Sequence, residues 1–298
     1  MINITLCICT KNRKEGLKRL LESIECMLVP ENTEMKIVII ENDTGNYTED
    51  FVKTFSNTSK FEVYYYLENM QGLAFARNRS VKEAGNCDFC CFLDDDQIVD
   101  TNWLVELLKC QAEFNADGVW GLCPPIFSQK VPSYIKYFHE PRSFQYGDLV
   151  EDAGTGGLLI RKSILDNIIG PFDLKLNFTG GEDYHLTKMI VKNGGSIRFN
   201  PKAIAYELVP NSRTTILFAL KRTFRKANAG YFINSFSEPD FSKNRALPRL
   251  FLRFFYGLII LLPFLIFAKK NKLKGLLKLV SAGGGVLGLY GKKNRFYA

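Results

Sequence analysis

Four apolar runs of strand length alternate with helical patterns in the first hundred residues. The runs occupy residues 2–9, 35–40, 61–67 and 88–93. Leu17, Leu20 and Ile24 recur at helical spacing after the first run, and residues 72–84 also follow a helical pattern. Strands that alternate with helices in this way are typical of a parallel, doubly wound sheet. The sequence therefore predicts an α/β fold.

Polar residues follow the first, second and fourth of these runs directly. They occupy residues 10–13, 41–45 and 94–96. The carboxyl ends of parallel strands meet at one edge of a sheet, and ligands of open α/β sheets bind beyond that edge. We therefore expect the three polar clusters to line one site.

The middle of the chain has a less regular pattern. Glycines at positions 154, 156 and 157 precede an apolar run, and two further glycines precede an acidic pair at residues 182 and 183. Residues 214–229 are predicted to form a helix with Ile216, Leu220 and Phe224 on one face.

Two uncharged segments lie near the C-terminus, at residues 254–268 and 279–291. The first has fifteen residues and contains Pro263, whereas a membrane-spanning helix needs about 20 apolar residues. The second is rich in glycine. Lysines lie between the two segments, and this pattern favours an interfacial or re-entrant pair over two spans. The alternative is a buried helix of the globular domain.

Charge is distributed unevenly along the 298 residues. Residues 1–208 carry 22 Lys and Arg against 29 Asp and Glu, a net charge of −7, whereas residues 209–298 carry 17 against 2, a net charge of +15. A basic segment among apolar residues favours an anionic surface, either a membrane or a nucleic acid. No recognisable nucleic-acid-binding module accompanies the basic residues, so we expect a membrane and no nucleic acid.

The composition is 46% hydrophobic and 23% charged, which indicates a folded globular protein and excludes disorder, collagen and coiled coil. All eight cysteines lie between Cys7 and Cys123 without a disulfide-like spacing, and we expect reduced, buried thiols. Cys87 and Cys90 have metal-like spacing, but no second pair follows them. The N-terminus lacks the basic and apolar regions of a signal peptide, which predicts a cytoplasmic body.

Asp94, Asp95 and Asp96 end the fourth apolar run. Three adjacent carboxylates repel one another unless a cation is near, and Mg²⁺ or Mn²⁺ commonly bridges such groups to phosphates. In an extended chain, Asp94 and Asp96 would point one way and Asp95 the other. A solvated acidic turn or a helix cap is the alternative.

Glu182 and Asp183 form a second acidic site at the start of a helical pattern. They either cap the positive end of the helix or hold a general base next to a substrate. Arg77, Arg222 and Arg225 could contact phosphate or lie in solvent. Only two histidines are present, so a nucleophilic triad is poorly supported. The first strand is not followed by a glycine-rich phosphate loop, which argues against NAD enzymes and P-loop ATPases.

Six segments, taken in order, resemble the family 2 glycosyltransferases of the GT-A fold. The resemblance is greatest to the bacterial polysaccharide group typified by succinoglycan glucosyltransferases. The segments are residues 4–13 (ITLCICTKNR), 38–44 (VIIENDT), 72–78 (GLAFARN), 92–96 (FLDDD), 154–160 (GTGGLLI) and 178–183 (FTGGED). The resemblance covers about residues 2–230, with the segments in the family's order and spacing. The C-terminal sequence SAGGGVLGLYG also resembles the membrane-associated tail of this group.

The resemblance implies a donor site for a UDP-sugar. The implied donor-binding residues are Thr10, Asn12, Arg13, Glu41, Arg77, Asp94 and Asp95. Thr10, Asn12 and Glu41 would hold the uracil and the ribose, although Glu41 stands where the family more often has Asp. Asp94 and Asp96 match the metal-binding Asp-x-Asp motif, with Asp96 as the direct ligand of Mn²⁺ or Mg²⁺.

The resemblance also implies a general base and an acceptor side. Asp183 matches the base of the family's Glu-Asp motif, and Glu182 would support it or contact the acceptor. The implied acceptor-side residues are Trp103, Gly156 and Gly157. Arg222 and Arg225 would contact the diphosphate or a lipid-linked acceptor.

The implied activity is that of an inverting, hexosyltransferase-type glycosyltransferase of bacterial surface polysaccharide synthesis. It would move a sugar from a UDP-sugar to a hydroxyl of a saccharide or a lipid-linked acceptor. Residues 1–230 would form the GT-A domain, with a donor-binding half (1–100) and an acceptor half (101–230). Residues 231–298 would form a basic C-terminal region, and residues 250–298 would attach it to the cytoplasmic face of the cell membrane as a peripheral or monotopic segment.

Two other functions remain open on the sequence. A sugar-phosphate nucleotidyltransferase would use a similar sheet, but it would need a Gly- and Arg-rich phosphate loop where residues 10–13 contain no glycine. A membrane-bound scaffold without catalytic activity would be expected to have lost its acidic motifs, yet Asp94, Asp96 and Asp183 are all present.

Overall fold

The computed structural model describes residues 1–238, 240–261 and 269–292. The strands of this described part are β1 (Ile2–Thr10), β2 (Thr33–Glu41), β3 (Glu62–Leu67), β4 (Phe89–Asp94), β5 (Gln97–Val99), β6 (Gly118–Leu122), β7 (Pro125–Phe127), β8 (Leu158–Arg161) and β9 (Ile197–Val209). Its α-helices are α1 (Lys14–Glu25), α2 (Glu49–Ser56), α3 (Leu73–Glu83), α4 (Trp103–Phe114), α5 (Ser133–Phe138), α6 (Lys162–Asp166), α7 (Glu182–Lys192), α8 (Ile216–Ser237), α9 (Lys243–Leu261) and α10 (Lys269–Leu289).

The strands form a mixed sheet in the order β3-β2-β1-β4-β8-β6-β9-β5, and β7 pairs with β9. The first four strands of this order run parallel, as the sequence predicts. β8 is antiparallel to both β4 and β6, so the sheet is not wholly parallel. The reason is that the chain enters β8 from the carboxyl edge of β4, where Gly157 N donates to Phe92 O (3.0 Å), and must run back from there.

Helices cover both faces of this sheet. On one face, Leu17 of α1 and Leu104 of α4 pack with Leu6 of β1. On the other face, Val81 of α3 and Ile190 of α7 lie in a second buried cluster. Successive residues of a strand point to opposite faces of the sheet, so β1 and β4 pack into both clusters. This packing holds the strand ends at defined positions.

The described chain divides into two compact units. The first comprises residues 1–126, 141–177 and 182–208, and the second comprises residues 127–140, 178–181 and the described part of 209–298. The predicted division at residue 230 falls inside α8, whereas the second compact unit takes in the whole of α8 together with α10. The functional division of the chain stays a prediction.

Within the second unit, α8 and α10 approach each other closely at glycines. A Cβ placed on Gly284 would lie 2.3 Å from Phe224 O, and one on Gly288 would lie 2.3 Å from Asn228 O. Residues four apart lie on one face of a helix, so these two contacts form one continuous seam. Asn228 Nδ2 also donates to Gly284 O (3.3 Å) and Lys292 O (3.0 Å). The glycines of the second uncharged segment therefore form a contact surface between helices.

In the described part of the chain, no helix combines the length and the apolar character needed to cross a bilayer. The uncharged segment predicted at residues 254–268 is described only as far as residue 261, and residues 262–268 lie outside the described residues. The same holds for residues 293–298 of the predicted membrane-associated tail.

Candidate active site

The ends of β2, β1 and β4 bring the polar clusters of the sequence to one edge of the sheet. Thr10 at the end of β1 is paired with Glu41 at the end of β2. Cys9 of β1 is paired with Asp94 at the end of β4. The three clusters are therefore neighbours, as the parallel order of these strands requires.

The three adjacent aspartates have different surroundings. Asp95 is buried, and its carboxylate accepts hydrogen bonds from Thr10 Oγ1 (2.8 Å) and Arg13 Nη1 (2.9 Å). Asp94 and Asp96 keep part of their surface, and Arg13 Nη1 lies 3.8 Å from Asp96 Oδ2. The chain is not extended over these residues as the sequence analysis supposed, because β4 ends at Asp94 and residues 95 and 96 form a turn. Asp95 thus ties the turn after β1 to the acidic turn after β4.

Arg77 of α3 is buried between two of the predicted carboxylates. Its Nη1 is paired with Glu182 Oε1, and its Nη2 lies 3.3 Å from Asp94 Oδ1. The guanidinium also lies over the ring of Phe172, 5.7 Å from the ring centroid. Its side chain is only 6% exposed, so Arg77 is placed to hold the two carboxylates, and little surface remains for the predicted contact with a donor.

Burial and like charges raise the pKa of two of these carboxylic acids. Burial is the largest cause that raises the pKa of Glu182 to about 7, while Arg77 opposes this rise and Asp183 adds to it. Partial burial raises the pKa of Asp94 to about 6, again opposed by Arg77, and Asp96 and Asp183 add to it. Burial therefore favours the neutral form of both acids, and Arg77 favours the ionised form.

The glycine-rich segment before β8 lies between Asp94 and Asp183. A Cβ placed on Gly156 would lie 3.3 Å from Asp94 Oδ2, and one on Gly154 would lie 3.6 Å from Asp183 Oδ2. Asp183 is the second residue of α7, and its Oδ1 accepts from Tyr184 N (2.8 Å). One glycine segment therefore lies next to a carboxylate predicted to bind metal and next to the carboxylate predicted to act as base.

Gly157 and Trp103, predicted on the acceptor side, lie next to each other at the end of this segment. Gly157 has a φ of +72°, a conformation that favours glycine, and a Cβ there would lie 3.6 Å from Trp103 Nε1. Trp103 is the first residue of α4 and has 0% exposure. Because its ring is fully buried, Trp103 would act on the acceptor side only through the turn that it supports, and its place there stays a prediction.

Glu41, predicted to hold the uracil or the ribose, is enclosed by protein. Its carboxylate accepts hydrogen bonds from Asn12 N, Thr48 N, Thr48 Oγ1 and the Tyr65 hydroxyl. Its exposure is 0%. This position departs from the role that the resemblance implies, because the carboxylate has no surface at which a nucleotide could reach it.

Two residues that the sequence did not single out also shape the edge. Gln97 Oε1 accepts from Asp94 N (2.9 Å). Asn42 Nδ2 donates to Met70 O (2.8 Å), and its Oδ1 accepts from Gly72 N (2.7 Å). The only sequence signal for Asn42 was its place inside the segment at residues 38–44, and Gln97 had none, because side-chain direction depends on distant partners.

Arg222 and Arg225 lie on α8 in the second unit, and both are half-buried. The guanidinium of Arg222 lies over the ring of Phe138, 5.8 Å from its centroid. Their contact with a diphosphate or a lipid-linked acceptor stays a prediction.

The donor atoms at the acidic edge fit a divalent metal that a substrate helps to bind. Across the described residues, no three acidic, histidine or cysteine side chains converge as a complete set of metal ligands. Asp94 and Asp96 offer hard carboxylate oxygens, and both keep part of their surface. Mg²⁺ is commonly held by one or two carboxylates together with substrate phosphates and water, so two carboxylates suffice.

All eight cysteines are free thiols. Cys87 Sγ and Cys90 Sγ lie 4.0 Å apart, a contact between thiols rather than a covalent bond.

Comparison with known proteins defines the family. The sequence model of Glycosyl transferase family 2 matches residues 5–169, which is more than half of the chain. The chain therefore belongs to glycosyltransferase family 2, and the resemblance read from its six segments is confirmed.

Similar proteins give the fold and a biological setting. The succinoglycan biosynthesis protein ExoM of Rhizobium meliloti (strain 1021) is 27% identical over 226 residues, covering 75% of this chain and 72% of ExoM. The mannosyltransferase PcManGT from Pyrobaculum calidifontis, solved with GDP-Man and Mn²⁺, has a TM-score of 0.68 at 14% identity, covering 97% of this chain and 88% of its own. S. aureus TarS 1-349, solved with UDP-GlcNAc, has a TM-score of 0.55 at 14% identity, covering 97% and 91%. The fold is thus of the α/β GT-A type.

Proposed function

We propose that this protein is an inverting glycosyltransferase of bacterial surface polysaccharide synthesis. It transfers a hexose from a UDP-sugar to a hydroxyl of a saccharide or a lipid-linked acceptor. The observation that carries this proposal is the glycine segment that lies next to both Asp94 and Asp183, where Gly154 and Gly156 place no side chain beside the two carboxylates. The likeness to ExoM supports the pathway, and the UDP-GlcNAc complex of TarS supports the donor class.

In this proposal Asp183 is the general base. It removes the proton from the acceptor hydroxyl, whose oxygen forms a bond to the anomeric carbon on the face opposite to UDP. The bond from the anomeric carbon to the diphosphate breaks, and its electron pair leaves with UDP. The configuration at the anomeric carbon inverts, so an α-linked donor gives a β-linked product.

Asp94 and Asp96 are the residues that would hold Mn²⁺ or Mg²⁺. The metal, when bound, would neutralise charge on the leaving diphosphate. Thr10 and Arg13 are held by Asp95 at the same edge, on the side of the donor.

Calorimetric titration of UDP, with and without Mn²⁺, tests the donor site. We expect Mn²⁺-dependent binding that Asp96→Asn weakens. Asp88→Asn is the control, because the Asp88 carboxylate accepts from Asn3 N (2.7 Å), one residue before the other end of β4. Absence of UDP binding by the wild type under every metal condition would remove the donor assignment.

The proposal includes attachment to an anionic membrane surface through the second unit, at the cytoplasmic face. Apolar side chains on α9 are exposed, among them Phe251, Leu252, Phe255 and Ile259. No acidic residue follows Asp240 in the sequence, so the segment is purely basic and complements anionic lipid. A segment of this kind would lie on the bilayer as a peripheral or monotopic element.

Sedimentation with phosphatidylglycerol vesicles tests this attachment. We expect Phe251→Ser with Phe255→Ser to reduce binding, and pure phosphatidylcholine vesicles to bind less. Ile169→Ser, at a fully exposed apolar residue of the first unit, is the control. Point variants are preferable to deletion of residues 250–298, because that deletion would remove the helix that packs on α8. Equal sedimentation of variant and wild type would contradict the attachment.

A further inference from the structure

Glu41 lies at the last position of β2, between Thr10 of β1 and Leu67 of β3 in the sheet register. Polar residues at this edge are expected to face a ligand. Glu41 instead has 0% exposure, so its carboxylate is turned into the protein.

Four protein donors already bond this carboxylate. An ionised carboxylate has two oxygens with about four lone-pair positions. Oε1 accepts from Asn12 N (3.3 Å), and Oε2 accepts from Thr48 N (2.9 Å), Thr48 Oγ1 (2.9 Å) and the Tyr65 hydroxyl (2.6 Å). Three donors therefore surround Oε2, and Oε1 is buried with the rest of the residue, which leaves no surface at which a nucleobase N–H could reach it.

The donors come from three separate elements. Asn12 lies in the turn between β1 and α1 and has a φ of +49°, a strained conformation for a residue with a side chain. Thr48 immediately precedes α2, and Tyr65 lies on β3. One buried carboxylate thus fixes a strained turn, a helix start and a neighbouring strand at the predicted donor site.

Tyr65 is suited to remain a donor. Burial and its hydrogen bond to Glu41 raise the pKa of the Tyr65 hydroxyl. The phenol therefore stays protonated and continues to donate across the neutral pH range.

We propose that Glu41 is a positioning residue that holds the Asn12 turn in shape and does not accept a hydrogen bond from the base of the donor nucleotide. This inference rests on the proposed function, because it concerns the nucleotide site of the same reaction. In this role Glu41 does not bond uracil N3–H directly. It supports the turn that faces the donor.

Titration with UDP and with N3-methyl-UDP, which lacks the N3–H donor, distinguishes the two roles. The measured quantity is the ratio of the two dissociation constants in wild type, Glu41→Gln and Tyr65→Phe. We expect both variants to bind UDP about five-fold more weakly, because each disturbs the hydrogen bonds around the turn. We expect the ratio to stay at its wild-type value in both. A wild-type ratio near one would support the same conclusion.

Tyr65→Phe keeps the test decisive if Glu41→Gln fails to fold, since it removes one donor and leaves the carboxylate. Tyr64→Phe on the same strand is the matched control, because the Tyr64 hydroxyl bonds only the exposed Glu62 (3.0 Å) among described hydrogen bonds. Circular dichroism and thermal unfolding establish that each variant is folded.

Two results would overturn the inference. One is a ratio that falls to one in Glu41→Gln but not in Tyr65→Phe, which would show a direct contact with N3–H. The other is a folded Tyr65→Phe with unchanged affinity for UDP. Failure of the proposed function is a separate result, because in that case the wild type binds no UDP at all.

Discussion

Different interactions stabilise the site edge of the first unit and the helix packing of the second unit. At the site edge, buried charges and hydrogen bonds fix the structure, with Arg77 paired to Asp94 and Glu182. In the second unit, α8 and α10 meet at Gly284 and Gly288, where backbone touches backbone. Substitutions at the site edge should therefore change chemistry or leave charges unpaired, whereas substitutions in the helix seam should change packing alone.

The largest expected effect is on catalysis in the first unit. Asp183→Asn should reduce the rate of transfer by about 10²–10⁴-fold, because general-base catalysis is typically of this size. UDP binding should be unchanged, since Asp183 is not among the donor-binding residues. Radiolabelled sugar transfer measures the rate, and Asp50→Asn on the exposed face of α2 is the control. A full transfer rate in Asp183→Asn would remove the base assignment.

The next effect is on the stability of the site edge. Arg77→Met leaves Glu182 and Asp94 without their shared partner, and breaking a buried pair in this way costs about 3–5 kcal/mol. Arg79→Met on the same helix is the control, because the Arg79–Glu83 pair is partly exposed and such pairs contribute about 1 kcal/mol or less. Urea unfolding measures both. Adding Glu182→Met to Arg77→Met should restore part of the loss, and a loss no greater than that of Arg79→Met would contradict the pairing.

The helix seam gives a smaller effect of a different origin. Gly284→Ala should destabilise the second unit by about 1–3 kcal/mol, because the new methyl would lie 2.3 Å from Phe224 O and the helices must separate. Gly283→Ala is the matched control, since the nearest atom there is 3.9 Å away, and it should stabilise α10 by up to about 1 kcal/mol. Thermal unfolding of the two variants should move in opposite directions. Equal shifts would mean that the seam is not the tight contact described.

The smallest expected effect on stability is that of a substitution at Gly156 in the first unit. A Cβ on Gly156 would lie 2.8 Å from Gln97 Nε2 and 3.3 Å from Asp94 Oδ2, which are ends of side chains and not backbone. Gly156→Ala should therefore cost less stability than Gly284→Ala, about 1 kcal/mol. It should raise the Mn²⁺ concentration needed for half-maximal transfer, because Asp94 is displaced. A loss of stability as large as that of Gly284→Ala would show that this segment cannot adjust.

The sequence predicted the elements that depend on local pattern. The four apolar runs became β1 to β4, and the polar clusters after β1, β2 and β4 came to one edge through the parallel order of these strands. The acidic pair at residues 182–183 lies near this edge because α7 begins there, a position that the sequence pattern did not predict. The direction of β8 was not predictable, because it depends on where a long connection re-enters the sheet. The same applies to Glu41, whose direction is set by donors from three elements far apart in the sequence.

The C-terminal glycines show a second kind of limit. The sequence shows the spacing of these glycines. It does not show that α8 is the helix against which they pack. Glycines four residues apart do not by themselves predict a close helix contact, because that contact also requires a suitable backbone on the partner helix. The exposure of the apolar residues of α9 depends less on distant partners, because the basic residues around them in the sequence already indicate a surface segment.

Arg77 has a consequence for how the site moves. Because one guanidinium bonds both Asp94 and Glu182, a displacement of the first turn of α7 is transmitted to the end of β4. We therefore expect the two carboxylates to shift together, which would limit changes in the separation between them. An in-line displacement depends on that separation, since the nucleophile and the leaving group must stay aligned. In the proposed transfer, one buried side chain would therefore help to preserve this alignment.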